Sequence, residues 1–160
     1  MDLLDRLLDH DDWASTTLLD LCRPLTDAQL DQELDIGHRT LRETWVHMIF
    51  NIDVWTAAMT SRPPEGIEDD RSIPALIDRY QRMYATFAAF ARLIRDEQRL
   101  DDTYVDHYGG EMTYGGAILH VVLHNEGHRT EVLHFLQRLG LAEDPEVDHG
   151  LWDFHRRGLT

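Results

Sequence analysis

The sequence predicts an all-α protein, a bundle of four long helices with one small β-hairpin just before the last of them. Three observations lead there. Four amphipathic stretches repeat apolar residues at steps of three and four, the period that places side chains on one face of a helix. Proline and glycine are scarce, 5 and 10 of 160 residues, and they cluster, so they divide the chain into those stretches. Only between Asp101 and Gly116 does the pattern change, with Gly109-Gly110 flanked by Tyr104-Val105 and Met112-Thr113-Tyr114, the composition of a hairpin. Connections of moderate length let such helices bury their apolar faces on one another, and a chain of this size can hide roughly 70% of its unfolded surface in a single domain, here residues 1–160.

Each element has its own signals. From Leu3 to Arg23, leucines at 4, 7, 8, 18, 19 and 21 gather with Cys22 on one side, and the helix stops before Pro24. Thr26-Asp27-Ala28-Gln29 reads as a short capped turn. Thr40 with Glu43 three residues on forms a capping box, and Leu41, Trp45, Met48, Ile52, Trp55 and Met59 continue as a second helix to Arg62-Pro63-Pro64. A polar loop from Glu65 to Arg71 leads to Ser72, an N-cap with Pro74 in the first turn. Ile73, Leu76, Ile77, Tyr80, Met83, Tyr84, Phe87, Phe90, Ala91 and Ile94 then make the clearest apolar stripe. The last long helix runs from Gly116 to Leu139 and ends at Gly140, which suits the left-handed residue past a helix end. Gly150 to Gly158 reads as a short C-terminal turn. Thr40 precedes His47 by seven residues and Thr113 precedes His120 by seven, an echo consistent with two similar helical hairpins.

The charge balance removes several partners. Thirty Asp+Glu oppose 15 Lys+Arg, a formal net charge of -15, and every cation is Arg. Such a surface repels the phosphates of nucleic acid and the headgroups of anionic membranes. No apolar run is long enough to span a bilayer, and the acids in Met1-Asp2-Leu3-Leu4-Asp5 are unlike a signal peptide, so a soluble cytoplasmic protein is expected. The acidic runs at Asp9, Asp11-Asp12 and Asp69-Asp70 are expected to be solvated. The single cysteine, Cys22, excludes internal disulfides and multi-cysteine metal sites, and on the apolar face of the first helix it reads as a buried structural thiol.

Chemistry concentrates in the ten histidines. In His120-Val-Val-Leu-His124-Asn-Glu-Gly-His128-Arg129, the pairs 120/124 and 124/128 are four apart, which lets two imidazoles on one helix reach one ion, whereas 120 and 128 lie about 12 Å apart along the axis. His124 and His128 also fall in the apolar register Ala117, Val121, His124, His128, Val132, Phe135, Leu139, facing the core, and His120 sits on its shoulder. Satisfied core histidines are the alternative reading. A third ligand must come from another helix, where His10 and His47 are the candidates; periodicity does not choose between them. His38, His107, His149 and His155 fall in loops or turns and are expected to be solvated.

Several of these elements together resemble the DinB-like family, which includes YfiT-type proteins. The resemblance rests on Thr40, His47 and Trp55 in their spacing, on Thr113 eleven residues before His124, on His124-x3-His128-Arg129, on the apolar tail to Leu139-Gly140, and on Leu-Thr-Asp-Ala-Gln-Leu at 25–30; it covers roughly residues 1 to 141. It implies an up-down-down-up four-helix bundle, commonly a homodimer, with His47, His124 and His128 as ligands of one divalent metal, zinc first and nickel or manganese as alternatives. Two departures stand out: Ile52, between Asn51 and Asp53, where many members carry an acid, and Thr130-Glu131 where many carry Gly-Gln.

Three neutral histidines leave a zinc position open, the catalytic pattern, and a thiol entering it would lose its proton near neutral pH. The family resemblance points the same way, since its characterised branches include bacillithiol S-transferases and a mycothiol-dependent isomerase. The expected function is a metal-dependent thiol S-transferase acting on a low-molecular-weight thiol such as bacillithiol and an electrophile. The alternative is a metal-stabilised stress-response or binding module without turnover, favoured by the lack of an obvious general base. Trp13, Asn51, His120 and Arg129 are candidate substrate contacts, with packing, or for Arg129 a pair with Glu126, as the competing roles. Histidines of ordinary pKa would release the metal below about pH 6.5.

Overall fold

The structure, a computed structural model, describes residues 1–141 and 145–159. Four long helices carry the fold: α1 (Leu3–Leu21), α3 (Leu41–Met59), α4 (Ile73–Asp96) and α5 (Tyr114–Arg138). A one-turn α2 (Asp27–Leu30) lies between α1 and α3, the strands β1 (Thr103–Val105) and β2 (Glu111–Thr113) precede α5, and α6 (His149–Arg156) follows it. The C-terminal segment read as a turn is thus a helix, started by Asp148, whose carboxylate accepts from the Gly150 and Leu151 amides. The two strands pair antiparallel with Tyr104 opposite Met112.

The starts of the elements follow their caps. Asp2 and Asp5 form a reciprocal capping box at α1, and Thr26 and Gln29 another at α2. Ser72 caps α4 with a proline in its first turn. At α3 only half of the expected box exists: Thr40 Oγ1 accepts from the Glu43 amide, but the Glu43 carboxylate turns instead to Arg71 at 2.8 Å. Thr113 caps α5 two residues earlier than expected, and Gly140, at φ +69°, takes the left-handed conformation past its end.

Side-chain ties fix the helix directions. Arg42, early in α3, reaches Asp31 and the Arg71 carbonyl just before α4, so α3 and α4 begin at the same end and run parallel. The long return between them is pinned halfway by buried Asp53, which accepts from Arg62 and from the Glu65 and Gly66 amides. Asp5 at the start of α1 pairs with Arg92 and Arg95 at the end of α4, so these run antiparallel. Arg95 holds the Asp5 carboxyl down at about 2. With α5 antiparallel to α3, as Trp55 beside His120 and His47 beside His124 require, the arrangement is up-down-down-up.

The core between them is the expected one, from Leu8 and Leu18 through Trp45, Ile52, Tyr80 and Phe87 to Val121, Val132 and Phe135. Ile52 is fully buried, so the position between Asn51 and Asp53 is a packing position here. Cys22 is buried, and its thiol is pushed up to about 12 by desolvation, which makes it a poor nucleophile. Among the described residues no helix is long and apolar enough to cross a membrane.

One polar cluster interrupts this core and corrects the reading of the acidic runs. Asp11 is completely buried and ion-paired with buried Arg129. The Asn125 side-chain amide donates to the same carboxylate at 2.9 Å, and Ser15 Oγ accepts from Arg129 at 3.1 Å. The stripes Leu4, Leu8, Asp11, Ser15, Leu18, Cys22 on α1 and Ile118, Val122, Asn125, Arg129, Val132, Leu136 on α5 share the same four-three spacing. Where these apolar faces meet, two polar residues of one meet two of the other, and complementary charge satisfies what burial would otherwise penalise.

Candidate metal centre

α3 and α5 bring three histidines to one point. His47 stands on the second turn of α3, where Thr40 starts the helix, and His124 and His128 are one turn apart in the middle of α5. The Nε2 atoms of His47 and His124 are 3.0 Å apart, and those of His128 and His124 3.2 Å. The three ring centroids lie 4.4 to 4.9 Å from one another. Nitrogens bound to one zinc ion at tetrahedral angles stand about 3.3 Å apart, with ring centroids about 5 Å apart. The two nitrogen separations about His124 and the ring spacings are thus close to those of a ligand set.

Its protonation suits the same role. Desolvation, reinforced by His38 and His128, holds the His47 imidazole down at about 4; desolvation and the neighbouring His128, His47 and His120 hold His124 at about 3. Both are neutral with a free lone pair at neutral pH. His128 donates from Nδ1 to the Glu131 carboxylate at 2.8 Å, which places its proton away from the cluster and leaves Nε2 facing it. His124 Nδ1 is buried without a partner. Lone pairs facing one another gain nothing until a cation enters between them, so the donor set fits a divalent ion.

His38, expected in solvent, is partly exposed and stands at the edge of the cluster. Its ring stacks on that of His47 with centroids 3.9 Å apart and lies 5.2 Å from that of His128. His38, His47 and His128 offer ring nitrogens that all lie within 4.8 Å of one another and can hold a metal ion. Sequence reasoning missed this residue because it stands in a non-periodic turn, and missed Glu131 as a partner because its signal, an acid three residues after His128, was read only as a departure from the family.

The remaining candidates are scattered. His120 packs against Trp55 at 4.5 Å and lies 5.8 Å from His124, so it flanks the cluster. Asn51 Oδ1 accepts from Trp55 Nε1 at 3.0 Å and thereby orients the indole. Arg129 is turned the other way, toward Asp11 on α1 and Glu126. Trp13 stands among His10 and His155 on the α1 side facing α6. His10, the other candidate third ligand, donates Nε2–H to the Val147 carbonyl at 2.9 Å and packs on Trp152, away from His124 and His128.

Comparison with known proteins agrees with this architecture. A crystal structure of a DinB-like protein from Bacillus cereus ATCC 10987 superposes with a TM-score of 0.68 at 21% identity, covering 86% of this chain and 91% of that one. A structure described as a member of the DinB family, from Exiguobacterium sibiricum 255-15, gives 0.63 at 18% identity, covering 92% and 99%. At these identities the likeness is one of fold. No curated protein matches the sequence. The profile of the DinB superfamily matches residues 10–132, most of the chain and all three histidines of the triad, and the protein belongs to that superfamily.

Proposed function

We propose that His47, His124 and His128 bind one divalent metal ion, zinc first with nickel or manganese as alternatives, and that the protein is a metal-dependent thiol S-transferase. The observation that carries this reading is the placing of His124 Nε2 at 3.0 Å from that of His47 and 3.2 Å from that of His128. A bound ion would supply a Lewis-acid position at which an incoming low-molecular-weight thiol, such as bacillithiol, loses its proton near neutral pH. The chain's own residues do the rest. His47 and His124 are kept neutral by burial, Glu131 holds the His128 proton on Nδ1, and Trp55 with His120 walls one side of the cluster. Cys22 is too deeply buried to be the nucleophile, so the thiol must come from solution.

Incubating the metal-loaded protein with bacillithiol, mycothiol or glutathione and a chromogenic electrophile tests the enzyme reading. Metal-dependent acceleration with one of them is expected. No acceleration with any would favour a metal-stabilised binding or stress-response module, a reading that the stacked His38 also supports.

The same reading includes a homodimer. Leu3, Leu119 and Leu123 are exposed along the parallel pair α1 and α5, beside a groove of about 550 Å³ that Leu4, Leu7, Leu100 and Ile118 also line. A second copy would cover this apolar edge, and light scattering should return the mass of two chains; a single-chain mass contradicts it.

Acid should release the metal late. Protons compete with the ion only near each ligand's own pKa, and His47 and His124 sit at about 4 and about 3. Lowered values move proton competition to lower pH, so the ion should stay bound at pH 5.5, below the ~6.5 of an unperturbed histidine. Metal release followed with a chromophoric chelator as pH falls checks this; half-release at 6.5 or above would show that the imidazoles titrate as if exposed.

A further inference from the structure

We propose that His38 is a displaceable fourth imidazole of this site, standing beside the place an incoming anion or thiolate must take and able to move into it. The inference rests on the three-histidine reading and adds the regulation of its open position.

Three observations carry it. First, a ring nitrogen of His38 already lies within 4.8 Å of those of His47 and His128. Second, the ring is parked rather than seated. Its centroid is 3.9 Å from that of His47, closer than the roughly 5 Å that two imidazoles on one ion adopt, so it must slide off the His47 face to ligate. Third, the turn that carries it is built against the site. Gly37, at φ +38°, and Arg39, at φ +70°, flank His38 in left-handed conformations, and the Arg39 amide donates to the Ile36 carbonyl at 2.7 Å. The Glu131 carboxylate fills the space that a Cβ on residue 37 would need, and that same carboxylate receives the His128 proton. The backbone of the turn thus rests on a partner of one ligand while the His38 side chain rests on another.

With an ion held by the triad, His38 would offer a lone pair of Nε2 or Nδ1 to the remaining position and would yield it, as a neutral imidazole, to an entering anion or to a thiolate whose proton has gone to bulk water.

Cobalt(II) titration of the full chain, followed by azide titration of the cobalt-loaded protein, tests the proposal through the visible ligand-field bands. His38→Ala should still bind one ion, about tenfold more weakly, and take azide about tenfold more tightly than the wild type. Gly37→Ala, which keeps the imidazole but drives a methyl into the Glu131 carboxylate, should shift both in the same directions. Unchanged cobalt and azide affinities in His38→Ala would overturn the proposal while leaving the triad intact. If His124→Ala keeps full stoichiometry and His38→Ala loses it, His38 is a ligand and the triad is His38, His47 and His128. A wild type that binds no cobalt overturns both readings.

Discussion

Asp11→Ala should cost about 3–5 kcal/mol of folding stability, the expected result of leaving one half of a buried ion pair behind. Arg129 is 2% exposed and Asp11 is completely buried, so neither charge can be rehydrated without opening the α1–α5 seam. Removing the carboxylate also strips a hydrogen-bond partner from the Asn125 amide. Glu126 remains beside Arg129 but is itself exposed, and its screened charge replaces only part of what is lost. A loss of this size lowers the melting temperature by about 10 °C in a chain of this length. Arg129→Met should be milder, because the remaining Asp11 can accept a proton, which Arg129 cannot give up. The double variant Asp11→Leu with Arg129→Met should recover most of the stability, since a well-packed apolar pair can replace a buried ionic one. Thermal and urea denaturation of the three variants decide the matter; losses below about 1 kcal/mol in Asp11→Ala would mean that the seam is hydrated.

This network shows where the sequence was legible and where it was not. Helix positions and the bundle itself could be read because apolar residues recur at steps of three and four, and Thr40, Ser72 and Gly140 mark ends by local chemistry that tertiary contacts do not change. Asp11 lay within that same periodicity but was assigned to solvent as part of an acidic run with Asp9 and Asp12. Its register with Leu8 and Leu18, matched by Arg129 between Asn125 and Val132, was the available signal. Charge identity outweighed spacing in that reading, and spacing was the better guide.

The histidine cluster divides in the same way. His124 and His128 declared themselves by four-residue spacing within an apolar register, because both facts belong to one helix. His47 needed the family resemblance, since nothing in α3 alone says which of its faces meets α5 rather than α4. His38 was out of reach: its place depends on a turn that folds between α2 and α3 onto Glu131, a contact nearly a hundred residues distant in sequence.

The second large effect concerns the proposed metal site. His124 is the central member of the triad, its Nε2 lying 3.0 and 3.2 Å from those of His47 and His128, so its loss removes the donor that joins the other two. His124→Ala should keep the fold, because the side chain is only partly buried and carries none of the network that joins α1 to α5. Elemental analysis of the purified wild type and of His124→Ala, with circular dichroism to confirm equal helix content, measures this directly. About one divalent ion per chain is expected in the wild type and none in the folded variant; a full equivalent of metal in His124→Ala, or a wild type that binds no ion when supplied with zinc, contradicts the assignment of His124 as a ligand.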